Sequence, residues 1–125
     1  MDIEGRKQAS VQFLKLIVAG QIEKAYQKYV DLGGKHHNTS CSSGFPALQE
    51  SMIDNHALFP NKRLVVEHVL GDKEYVAVHS HITLNPGGME LQTVHVFRFH
   101  ADKIVELWDC GQEVPADSPN EDGAF

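Results

Sequence analysis

His79 and His81 stand one residue apart in the stretch YVAVHSHITL, Tyr75 to Leu84. In a strand, residues two apart point the same way, so both imidazoles share a face with Ala77 and Thr83. Imidazole exchanges its proton most readily near neutral pH. Such a pair suits binding or protonating an oxygen inside a pocket; it equally suits a solvated face or quiet hydrogen bonding in a core. A second set lies in ELQTVHVFRFHADKIVELWDCGQ, Glu90 to Gln112, where His95 and Asp109 interrupt two apolar runs. A carboxylate and an imidazole in an apolar hairpin are either buried and paired, or they face a cavity. If its apolar surroundings disfavour the charged form, Asp109 is a general base; paired with Arg98 or a histidine, it is structural. His36, His37 and Asn38 fall on a polar stretch that reads as a loop, where scaffolds often mount site residues, although a plain surface turn explains them as well. Metal chemistry also has its ligand types, in His79, His81 and His95 with Glu90. Histidines two apart are nevertheless common without metal.

These residues need elements to position them. The Glu90–Gln112 stretch predicts two strands joined at Ala101-Asp102-Lys103. In the first, Leu91, Thr93, His95, Phe97 and Phe99 share one face and Gln92, Val94, Val96 and Arg98 the other. In the second, Val105, Leu107 and Asp109 face one way and Ile104, Glu106 and Trp108 the other. Upstream, alternation over Leu64, Val66, His68 and Leu70, broken at Gly71-Asp72-Lys73, predicts a further strand and a hairpin. Asn85-Pro86-Gly87-Gly88 is another turn.

The N-terminal part carries a different period. Phe13, Leu14, Ile17 and Val18 predict a helix over residues 4–19 that stops at Gly20. Ile22, Ala25, Tyr26, Tyr29 and Val30 predict a second helix, ended by Gly33-Gly34. After the loop KHHNTSCSSGF, Lys35 to Phe45, a third helix opens at Pro46 with Ser42 or Ser43 as cap. Helices followed by at least four antiparallel strands indicate an α+β fold, with helices on one face of a curved sheet and a pocket between them. In the tail VPADSPNEDGAF, Phe125 is placed to dock back on the body.

Composition bounds the rest. The 125 residues suit a single domain, residues 1–125. A formal net charge of −6 disfavours nucleic acid as a partner. No apolar run is long enough for a membrane span, and the N-terminus lacks a signal-peptide pattern. Cys41 and Cys110 read as free thiols. The expected setting is cytoplasmic.

Several motifs together resemble the SnoaL-like polyketide cyclase family of the nuclear-transport-factor-2-like superfamily, and within it proteins described as predicted SnoaL-like aldol-condensation-catalysing enzymes. The matching residues are His37-Asn38, the His-x-His of His79 and His81, Phe97-Arg98, Lys103-Ile104-Val105-Glu106, Trp108-Asp109, Gln112 and Pro115. The match runs from about Tyr29 to the C-terminus. His95 stands where the family usually has Asp, Thr39 replaces a proline, and Leu107 replaces a histidine. The resemblance implies a cone-shaped barrel of helices on a strongly curved antiparallel sheet, an apolar cavity, and a homodimer formed through the outer sheet face. It implies a cofactor-independent acid–base enzyme, an aldol-type cyclase or isomerase, acting on a small carbonyl compound. Asp109, His95, His79 and His81 would be catalytic, and His37, Asn38 and Gln112 would bind substrate. No metal and no cofactor are expected. The competing readings are a non-catalytic dimer that binds a small ligand, and a metal-binding His-x-His barrel of the cupin type.

Overall fold

The Asp2 carboxylate accepts from the Gly5 N–H at 2.8 Å and so caps the first helix, α1 (Ile3–Val18). The helix stops because Gly20 takes φ +84° and turns the chain back. Gly20 also lies so close to the His56 ring that any Cβ there would collide with it. The remaining elements are α2 (Ile22–Tyr29), β1 (Val30–His36), α3 (Phe45–Leu58), β2 (Arg63–Gly71), β3 (Tyr75–Thr83), β4 (Glu90–His100) and β5 (Lys103–Glu113). The computed structural model describes residues 1–125. No helix is long and apolar enough to cross a membrane.

The five strands form one sheet in the order β1-β5-β4-β3-β2. Helix α1 lies against β2 and β3, while α2 and α3 lie against β1. The core between the layers is built on edge-to-face aromatic contacts. Phe13 meets Tyr26 at 5.5 Å and Phe97 at 5.7 Å, and Tyr26 meets Phe45 at 6.2 Å. All four side chains are essentially inaccessible. Burial on this scale contributes about 1.5–3 kcal/mol for each large apolar side chain. The α+β class and its helices-on-sheet layering are those the sequence predicts.

Three local expectations are corrected. The second helix ends at Tyr29, and Val30–His36 is a strand that pairs parallel with β5, so the sheet is mixed. Gly33-Gly34 therefore does not end a helix. A Cβ at Gly34 would stand 2.2 Å from the Val105 carbonyl oxygen and 2.8 Å from the Phe45 ring, so glycine is what lets β1 close on β5. Helix α3 is preceded by Gly44, with no side-chain cap from Ser42 or Ser43, and Pro46 occupies its first turn.

The other correction concerns which way side chains face. The β4–β5 register pairs Arg98 with Glu106 but Phe99 with Ile104, which leaves Val105 as an extra residue in a bulge. Ile104 therefore joins Leu107 in the core, on the face opposite Glu106 and Trp108. In β2, Val66 pairs with Ser80 and His68 with His79, so Glu67 is likewise extra. Residues beyond it switch face: Val69 packs on the core, and His68 joins His79 outside. The β4–β5 turn itself forms where predicted, with Ala101 at φ 47° and Asp102 at φ 64°, the double left-handed geometry that suits a tight hairpin.

Candidate functional site

A pocket of about 480 Å³ lies between the helices and the inner face of the sheet. Leu14 and Ile17 of α1, Leu48 and Met52 of α3, and Leu64 and Leu91 of the sheet give it apolar walls. Three polar groups gather on its floor at the β4–β5 side. Asp109 and His95 are direct cross-strand partners, which places their Cβ atoms about 5 Å apart. The Asn38 side-chain amide donates to both Asp109 oxygens, at 3.0 and 3.2 Å. The loop after β1 delivers Asn38 here, anchored by the His37 N–H on the Leu107 carbonyl at 2.8 Å.

His95 is half-buried and packs parallel to the Phe97 ring at 6.1 Å. Burial pushes its ring below the ordinary imidazole range, against the pull of the Asp109 charge. A ring displaced in that direction is neutral at pH 7, with one nitrogen donating and the other accepting. Its Nδ1 is buried without a hydrogen-bond partner, as are Thr93 Oγ1 and Ser80 Oγ. Thr93 pairs with Ser80 across β4–β3 and sits two residues from His95 on the same face. An unpaired buried polar atom costs about 1–3 kcal/mol. A row of them beside a pocket is a row of groups that a bound molecule can satisfy.

The structure does not bring every predicted site residue here. His79 and His81 point to the outer face, because the inner positions of β3 are Val76, Val78, Ser80 and Ile82. His79 binds His68 at 2.9 Å through Nδ1 and the Gln92 side-chain Oε1 at 2.7 Å through Nε2. Gln92 in turn donates to Gln112 at 2.7 Å. His81 meets Glu90 at 3.1 Å and is stacked by Phe125 at 4.1 Å, so the tail docks back as expected. His37 also turns outward: it stacks on Trp108 at 4.9 Å and binds Glu106 at 2.6 Å. The expectation that His79, His81, His37 and Gln112 line the pocket is therefore corrected to outer-face positions. The candidate ligand set His79, His81, His95 and Glu90 is split by the sheet, and no group of three or more His, Cys, Asp or Glu converges anywhere.

Two residues that the sequence pattern does not single out belong to the pocket or its wall. Lys62 lines it beside Asn55 and Ser51. The signal for Lys62 was its parity with Leu64, two residues on along the strand. Tyr26 was assigned only to a helix stripe. Its hydroxyl reaches the sulfur of the lining residue Met52 at 3.2 Å. Burial, then the nearby Cys41 and Asp109, hold that hydroxyl far above the ordinary phenol range, so it stays protonated.

No protein-family profile and no curated protein sequence matches the chain. Solved structures do. An NTF-2-like protein of unknown function from Burkholderia xenovorans LB400 superposes with TM-score 0.73 at 18% identity, over 94% of this chain and 89% of that one. A protein with a provisional ketosteroid isomerase assignment from Kribbella flavida DSM 17836 gives 0.72 at 15% identity, over 96% and 87%. A SnoaL-like polyketide cyclase from Agrobacterium tumefaciens str. C58 gives 0.71 at 14% identity, over 90% and 93%. The chain thus has the SnoaL-like, nuclear-transport-factor-2-like fold.

Proposed function

We propose that the pocket is a small-ligand cavity and that the protein is a cofactor-independent acid–base enzyme acting on a small carbonyl compound, as an aldol-type cyclase or an isomerase. The observation that carries this is the meeting of Asp109, His95 and Asn38 on the floor of a largely apolar pocket. The cyclase and isomerase names among proteins of the same fold agree with it.

Asp109 takes a proton from the carbon next to the carbonyl, and the C–H electron pair moves to leave an enolate. The neutral His95 ring donates its N–H to the enolate oxygen. Asn38 acts by holding the carboxylate, so that its free lone pairs face the ligand. In an isomerase the proton returns from Asp109 to a different carbon. In a cyclase the enolate carbon attacks a second carbonyl of the same molecule, and that oxygen takes up the proton. Apolar walls keep water away from the enolate and strengthen each hydrogen bond to it.

The test is exchange of carbon-bound hydrogen for deuterium next to a carbonyl, followed by NMR with a panel of small β-diketones and β,γ-unsaturated ketones. Asp109→Asn should slow exchange by roughly 10²–10⁴-fold and leave fold and ligand binding intact. Unchanged exchange in that variant removes Asp109 as the base. The homodimer belongs to the same proposal. Val65 and Leu70 of β2 and Tyr75 of β3 are exposed apolar side chains on the outer sheet face, where a second copy would pack, and sedimentation would read the mass.

A further inference from the structure

Lys62 is the one lysine or arginine among the residues lining the pocket, and Asp109 the one carboxylate. The two stand on opposite flanks. Lys62 immediately precedes β2 at one edge of the sheet, and Asp109 is in β5, with β3 and β4 between. Three strand spacings separate these flanks by roughly 14 Å across a flat sheet, and the register sets Lys62 about six residues, roughly 20 Å, along the strands from the level of Asp109, yet both side chains line the one pocket. The Lys62 ammonium is partly buried, and its Nζ donates to Asn55 Oδ1. It forms no ion pair: the basic side chains paired with carboxylates are Lys7, Lys35, His37, His81 and Arg98. An ammonium has three donors, so two remain for a ligand. Ser51 lies one helical turn before Asn55 and lines the same wall, adding a hydroxyl.

We infer that Lys62, flanked by Asn55 and Ser51, is an anion-binding pole, and that the ligand is an oxo acid whose carboxylate sits on Lys62 while its carbonyl sits on Asp109 and His95. The apolar walls between the poles fit an aliphatic segment, so the two groups are remote from one another in the molecule. This rests on the reading of the pocket as a carbonyl site and names its substrate class. Burial without a counter-ion disfavours the charged ammonium, which is why the Lys62 amine lies below the ordinary lysine range. A bound carboxylate would supply the missing partner.

The probe is a series of medium-chain oxo acids, such as 7-oxooctanoate, each compared with its methyl ester for binding to the full chain by calorimetry or NMR titration. Wild type should bind the acid about tenfold or more tightly than the ester. Lys62→Met should erase that ratio and Lys62→Arg should keep it, with thermal melts confirming that both variants fold. Should Lys62→Met prove unstable, Lys62→Gln serves the same comparison. An acid-to-ester ratio unchanged in the neutral variant overturns the proposal. So does an acid that binds no better than its ester to wild type, or a failure of both to bind. Deuterium exchange in the same samples separates the two readings. Exchange lost in Asp109→Asn with a ratio indifferent to Lys62 leaves the acid–base reading standing and the anion pole refuted. A Lys62-dependent ratio with no exchange in wild type does the reverse.

Discussion

The two faces of the sheet hold the same kinds of residue and treat them oppositely. On the outer face, His68, His79, Gln92 and Gln112 form a ladder across four strands, and Glu106 accepts from His37 at 2.6 Å and from Arg98 at 3.0 Å. On the inner face, His95 Nδ1, Thr93 Oγ1 and Ser80 Oγ have no partner at all. Satisfied polar groups stabilise the fold and have nothing left for a ligand. Unsatisfied ones cost stability, and that cost is recovered when something binds. The difference sets His95 apart from His79 and His81, which residue type alone does not.

The sharpest way to break this comparison is to exchange the roles of the two carboxylates. Asp109→Asn should lose roughly 10²–10⁴-fold in turnover with its melting temperature nearly unchanged. Glu106→Gln should do the opposite. It removes the negative charge facing Lys35, His37 and Arg98, costing about 2 kcal/mol of stability while turnover stays. Paired melts and exchange rates on the two variants decide it, and a stability loss in the first with a rate loss in the second would invert the assignment.

His95→Leu comes next. It should cut turnover by about a hundredfold yet melt no lower than wild type at pH 7, because it deletes an unpaired buried nitrogen. It should also flatten the pH dependence of stability. The His95 pKa is depressed in the folded state, so below pH 6.5 the unfolded chain binds a proton that the folded chain refuses, and stability falls with pH. Glu106 acts lower. The His37 hydrogen bond, then Arg98 and Lys35, hold its carboxyl below the usual range. Its contribution is complete above pH 4.5 and is lost as pH falls towards the folded value. Denaturant midpoints from pH 7 to 3 should therefore show two windows, the upper one missing in His95→Leu and the lower one missing in Glu106→Gln.

Much of this architecture is legible in the sequence, and the misses share one cause. Alternation in β4 correctly groups Thr93, His95 and Phe97 on one face, but the Ala101-Asp102 turn by itself would set His95 against Trp108, and it is the bulge at Val105 that brings it to Asp109. Alternation cannot say which face is inner, and so His79 and His81 were placed in the pocket with their faces reversed. It also cannot see bulges. The extra residues Glu67 and Val105 move His68 and Ile104 to the other side, a consequence of the two-residue period. Strand β1 was hidden because its glycines resemble helix terminators, and only the approach of Gly34 to Val105 shows why they are there. Lys62 shares the parity of Leu64, but a lysine at the mouth of a strand reads as a solvated end, and only the position of α3 over it makes it a pocket residue.

The smallest effect is predicted where the sequence pointed most loudly. Substituting His79 and His81 together by Gln should leave deuterium exchange and its pH profile as in wild type. Both rings lie across the sheet from Asp109, and each already has its partners, in His68, Gln92 and Glu90. What the double variant should lose is about 1 kcal/mol of stability, from hydrogen bonds that glutamine reproduces only in part. It should also lose the seat of Phe125, which stacks on His81, so that the tail becomes the first segment cut by a protease. A drop in turnover at unchanged stability would mean that the outer face takes part in the chemistry. In that case hydrogen-bond satisfaction would no longer separate the working imidazole from the structural ones.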